Sequence, residues 1–176
     1  MIPRREHRPA RRRGFSLVEA AISVVLVGGV VVASLGGISA ALRSARAASD
    51  RARASQLAGD LMTEILSCPV DDPLLPSGVT DAPPTTVDRR SCNDIDDYAA
   101  LADTPPKDRD GTPISGYTSW SRRVTVQWVL AATPETPSNA DTGLRRITVT
   151  VWRNGTELAR LVGLRSRSWQ LPPYTP

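Results

Sequence analysis

Hydrophobic and polar positions divide the chain into stretches of different period. From Ala20 to Leu42 no Asp, Glu, Lys or Arg occurs, and such a run is long enough for one helix to cross a bilayer core of about 30 Å. Beyond it the pattern turns amphipathic. Leu57, Leu61 and Ile65 fall at i, i+4 and i+8, with Ala54, Ala58 and Met62 beside them, which makes one apolar stripe on a helix. Residues 43–67 contain no proline and a single glycine, Gly59, so the helix is expected to continue through them. Arg43, Arg46, Asp50, Arg53, Asp60 and Glu64 take the solvated positions. Pro69 ends the helix by disfavouring helical geometry at Cys68.

The last third alternates with period two. Residues 123–130 place Val124, Val126, Trp128 and Leu130 on one face, and residues 146–152 do the same with Ile147, Val149 and Val151. Asn154-Gly155 is a strong two-residue hairpin signal. A plain hairpin there sets Val151 opposite Leu158 and Ile147 opposite Val162, and leaves Arg160 opposite Val149 as a misfit. The expected fold is therefore α+β: a long N-terminal helix, membrane-spanning in its first half, packed on a small antiparallel sheet of at least three strands. Between helix and sheet, residues 69–119 are rich in Pro, Asp, Thr and Ser without apolar periodicity, and read as a long connecting loop.

Charge changes the picture at the amino terminus. Six arginines, at positions 4, 5, 8, 11, 12 and 13, precede the apolar run, and a basic flank marks the cytoplasmic side. The C-terminal part is then expected outside the cytoplasm. A secretory signal would show a shorter apolar region followed by a cleavage site. Glu19 is the one carboxylate in the apolar segment; burying it in a membrane costs about 2.5–3.5 kcal/mol on insertion scales. No Lys, Arg or His lies within the span, so its partner must come from another chain or a chain terminus. A glutamate at the headgroup boundary and a proton-relay acid are the competing readings.

The string Gly14-Phe15-Ser16-Leu17-Val18-Glu19, behind an arginine-rich leader and ahead of an apolar helix, resembles the processing site of type IV prepilins and type II secretion pseudopilins. The motif covers six residues, and the general layout extends the likeness over about the first seventy. The resemblance implies cleavage by a prepilin peptidase between Gly14 and Phe15, and N-methylation of the new amino terminus at Phe15. It further implies assembly with other pilin or pseudopilin subunits through Phe15 and Glu19, the amine of one subunit meeting the glutamate of a neighbour. Many pilins carry a glycine at the position matching Gly28 and a proline at that matching Gly36; here both are glycine. Gly29, Ala33, Gly37, Ala41 and Ala45 recur at a spacing of four, which lines one helix face and permits close approach of neighbouring helices, although Gly and Ala are common in any span.

Removing residues 1–14 takes six Arg and one Glu from totals of 22 basic and 18 acidic residues, leaving 16 against 17. The high pI of about 9.7 thus belongs to the leader, and nucleic-acid binding, which needs a basic patch on a folded surface, is not expected. The layout is a cleaved leader (1–14), an assembly helix (15–42), its exposed continuation (43–68), the loop (69–119), the sheet (120–170) and a frayed tail (171–176). Cys68 and Cys92 lie beyond the span and hence in an oxidising compartment. Their pairing would close a loop of about 25 residues and add about 3 kcal/mol on the chain-entropy model, but sequence alone leaves it open. Two acidic clusters, Asp94, Asp96 and Asp97, and Asp108 and Asp110, have oxygens suited to calcium without the spacing of an EF-hand. A solvated acidic loop is the simpler reading.

No catalytic constellation is present in the sequence: the one histidine, His7, lies in the leader, and neither cysteine has a histidine partner. An enzyme is not expected. The expected role is a structural subunit, a minor pilin or pseudopilin precursor inserted in the inner membrane as a single-pass protein and then transferred to a filament. The alternative is a permanently anchored bitopic protein whose outer domain binds a partner or calcium.

Overall fold

The computed structural model describes Gly14 and residues 16–76 and 87–169; residues 1–13, Phe15, residues 77–86 and those from 170 onward lie outside the described residues. The chain divides into two compact units, Met1–Arg46 and Ala47–Pro176. One helix, α1 (Leu17–Ser67), contributes to both.

In the first unit α1 is exposed throughout, with Val24, Val25 and Val32 each more than 70 % accessible. Thirty helical residues at 1.5 Å each span about 45 Å, more than a bilayer core requires. Its hydroxyls suit a lipid environment. Ser23 Oγ donates to the Glu19 carbonyl at 2.8 Å, Ser34 Oγ to Val30 at 2.7 Å and Ser39 Oγ to Leu35 at 3.0 Å, so each is satisfied within the helix, as a span requires. This is one helix long and apolar enough to cross a membrane, near the amino terminus.

The second unit packs the rest of α1 on a four-stranded antiparallel sheet. The strands are β1 (Ala102–Asp103), β2 (Trp120–Trp128), β3 (Leu144–Arg153) and β4 (Thr156–Ser166), in spatial order β1-β2-β3-β4. The expected stripe of Ala54, Leu57, Ala58, Leu61, Met62 and Ile65 is the buried face of α1. It joins Val124, Ile147, Val149 and Val151 in one hydrophobic core. A side chain at Gly163 of β4 would put its Cβ 3.0 Å from Met62 Sδ, so the missing side chain is what lets Met62 lie against the strand.

Asn154 and Gly155 take φ of 49° and 78°, the positive values that the two-residue hairpin demands. The register nevertheless differs from a plain hairpin. A bulge at Val151/Trp152 shifts the pairing by one residue, so that Val151 faces Ala159, Val149 faces Leu161 and Ile147 faces Gly163. A shift of one turns every following side chain to the other face. Arg160 therefore pairs with Thr150 and the expected misfit with Val149 disappears; Leu161 joins the core while Val162 is 59 % exposed. In β2 the apolar alternation starts at Trp120 and fails at its far end, where Val129 is buried and Leu130 is exposed. Val129 instead forms an isolated bridge with Pro137.

Residues 69–119 are less loop-like than their composition suggests. Val70, Ile95, Tyr98 and Leu101 are buried in the core, Asp96–Tyr98 form a 3-10 turn, and β1 adds an edge strand to β2.

Candidate functional site

The amino-terminal site lies at the start of α1. Ala20 N–H donates to Ser16 O at 3.1 Å, which closes the first helical turn and places Glu19 within it. Carboxylates favour that position because the helix dipole is positive there. No partner reaches the Glu19 carboxylate among the described residues. Gly14, one residue before Phe15, is exposed and outside the helix. A Cβ added to Gly14 meets nothing within 4 Å, and its φ lies outside the left-handed range. Among the described residues nothing requires a glycine there. The same openness holds at Gly28, Gly29, Gly36 and Gly37, each of which weakens an isolated helix by about 1 kcal/mol relative to alanine.

In the second unit several charged groups are buried or part-buried and form a polar framework. Glu64, expected to be solvated on α1, accepts from Arg89 through both of its oxygens and from Tyr98 Oη at 3.0 Å. Burial opposes its ionisation, but the Arg89 guanidinium outweighs that and holds Glu64 below the usual carboxylate range. Arg122 of β2 grips Asp103 of β1, with Nη2 2.6 Å from Oδ2, and also donates to Lys107 O at 2.6 Å. Arg145 of β3 is fully buried. It makes a bidentate bond to Asp96 at 2.9 Å, a bond to Asp141 at 2.7 Å, and lies over the Trp128 ring at 5.4 Å. Arg167 joins Asp71 and Asp141. Burial works against Asp141 as an anion, yet hydrogen bonds from Arg145, Gly143 N–H and Arg167 depress it far below the usual carboxylate range.

One of these pairs draws on the acidic clusters. Asp96 is taken by Arg145. Asp94 Oδ1 accepts from Asp97 N–H at 3.0 Å and Asp97 Oδ2 from Asn93 N–H at 2.8 Å, a reciprocal capping of the 3-10 turn. Asp108 and Asp110 sit in a different turn, where Gly111 N–H donates to Asp108 O and Thr112 N–H to Asp110 Oδ1, both at 3.0 Å. Among the described residues, no three His, Cys, Asp or Glu side chains are gathered as a metal-ligand set. Cys68 and Cys92 are buried and unbonded. The arginines of the framework were missed in the sequence, although Arg122 and Arg145 carry a usable signal. Each lies in phase with the core-facing valines and isoleucine of its strand, where a cation needs a buried anion.

Burial and the neighbouring Asp97 and Asp96 push Asp94 up to about 6. A carboxyl raised from an unfolded value near 3.8 favours folding fully only below the latter and costs stability as pH rises through the folded value. Asp94→Asn keeps the acceptor for Asp97 N–H and removes the charge. It is expected to leave stability unchanged near pH 4 and to raise it by about 1–3 kcal/mol above pH 6. Urea unfolding at both pH values checks this; an equal effect at the two would disprove the assignment.

The chain matches no known family model, no curated protein and no solved structure.

Proposed function

We propose that the chain is the precursor of a structural subunit, a minor pilin or pseudopilin, of a type IV pilus or type II secretion-like filament. A membrane-embedded prepilin peptidase cuts between Gly14 and Phe15 on the cytoplasmic face and methylates Phe15. The mature chain sits in the inner membrane with residues beyond the span outside the cytoplasm. From there it enters the filament through α1, and it carries out no chemistry of its own. One observation supports this reading above the rest: among the described residues the Glu19 carboxylate has no partner, on the exposed apolar part of α1, five residues past a glycine whose surroundings are open among those residues. A carboxylate so placed in a membrane calls for a cation, and the amine released at Phe15 of a neighbouring subunit is the one that cleavage supplies. The four open helix glycines are likewise explained by close approach of other helices.

Gly14→Val tests the cut. A branched side chain obstructs a peptidase that binds the extended junction, while span and arginines are unchanged, so the variant is expected to insert normally and to accumulate as uncut precursor. Immunoblots of membranes from cells containing the peptidase measure this. Maturation at the wild-type rate would overturn the cleavage assignment and favour a permanently anchored protein.

A further inference from the structure

Cys68 follows the last turn of α1, its N–H donating to Ile65 O at 3.1 Å. Cys92 precedes the 3-10 turn. The two segments are tied together beside the cysteines: Ile95 N–H donates to Pro69 O and Asn93 Nδ2 to Asp72 Oδ1, each at 3.1 Å. Both thiols are buried, at 7 % and 6 % exposure, in the same cluster as Ile65, Ile95 and Tyr98. Their carbonyl contacts are long and local, Cys68 Sγ to Glu64 O at 3.7 Å and Cys92 Sγ to Asp88 O at 3.5 Å. The sulfurs are also near enough for the charge of one to disfavour ionisation of the other.

We propose that Cys68 and Cys92 form an intramolecular disulfide in the mature protein, fastening the end of α1 to the segment that carries the Asp94, Asp96 and Asp97 turn. The inference rests on the proposed topology, which puts the domain in an oxidising compartment. The bond forms by exchange with a disulfide-bearing thiol oxidant of that compartment. The two thiols lose two protons and two electrons, an S–S bond joins Sγ of Cys68 to Sγ of Cys92, and the oxidant's own disulfide is reduced to two thiols. Exchange requires a thiolate. Burial, with Asp97 and Glu64 nearby, pushes the Cys92 thiol up to about 12, and burial raises Cys68 as well. The bond therefore forms while the chain is still folding, and the closed core then shields it.

The test uses the full chain recovered from membranes, denatured without reductant, alkylated and weighed by mass spectrometry. No labelled cysteine is expected before reduction and two after it. Trypsin, cutting after Arg89 and Arg90, should yield the Cys68 and Cys92 peptides joined. Two labelled thiols per unreduced chain would overturn the bond, as would a wild-type chain whose cysteines stay unlabelled because they are joined to a second chain. External protease on spheroplasts separates the premises. Digestion of the domain with both thiols free refutes the disulfide alone; protection with both thiols free refutes the topology together with it.

Discussion

Glu19→Ala is expected to leave membrane insertion intact or improved, yet to reduce recruitment into filaments sharply. The insertion side follows from removing a carboxylate that costs about 2.5–3.5 kcal/mol in the bilayer. The assembly side follows from pairing: removing one member of a desolvated ion pair strands the other, a loss of about 3–5 kcal/mol, which corresponds to roughly two to four orders of magnitude in affinity. Glu19→Gln separates charge from size and should behave like the alanine variant. Processing is scored separately, because an uncut precursor would be absent from filaments for another reason. The measurement is co-purification with sheared filaments or other pilins at equal levels of mature protein. Equal recovery of mutant and wild type would remove the electrostatic basis of assembly.

The second large effect belongs to Arg145. Its guanidinium is fully buried and paired with both Asp96 and Asp141, whose own side chains are 15 % and 20 % exposed. Arg145→Met keeps an unbranched chain of similar length but leaves Asp96 without its partner. A loss of about 3–5 kcal/mol is expected, a large share of the 5–15 kcal/mol typical of a domain. Urea unfolding of the chain from Ala45 onward, which lacks the membrane-length run and is expected to be soluble, measures it. Arg160→Ala serves as the control. Among the described residues the Arg160 side chain pairs with Glu157 on the exposed face of β4, and its removal should leave the midpoint unmoved, since exposed pairs contribute little. An Arg145→Met midpoint equal to wild type would show that the polar framework does not hold the domain together.

Elements with a period were legible in the sequence. The α1 stripe repeats over three turns and packs as its spacing predicts, and the Asn154-Gly155 hairpin follows from the two positive φ values that those residues tolerate. What lacked a period was missed. Beyond the bulge at Val151/Trp152, Gly163 lies against Met62 of α1, a contact between residues about a hundred positions apart that no local pattern announces. β1 has two residues, too few to show alternation. The arginine pairs are hidden for the same reason: Arg145 and Asp96 are separated by 49 positions, and Glu64 looks solvated on a helical wheel until Arg89 and Tyr98 reach it. Of the two acidic clusters only Asp96 is paired with a cation among the described residues, Arg145 on a distant strand; the carboxylates of Asp94, Asp97 and Asp110 are engaged by backbone N–H groups of their own turns. Among the described residues Glu19 meets no partner and the space around Gly14 is open, so the role of this segment has to be argued from those two residues.

Cleavage after Gly14, with the chain used from Phe15 onward, is open to a single measurement: mass spectrometry of the amino-terminal peptide of the membrane or filament protein, from cells that contain the peptidase. The expected peptide begins at Phe15 and carries one added methyl group on its amine. A chain that still begins at Met1 under those conditions would refute the cleavage.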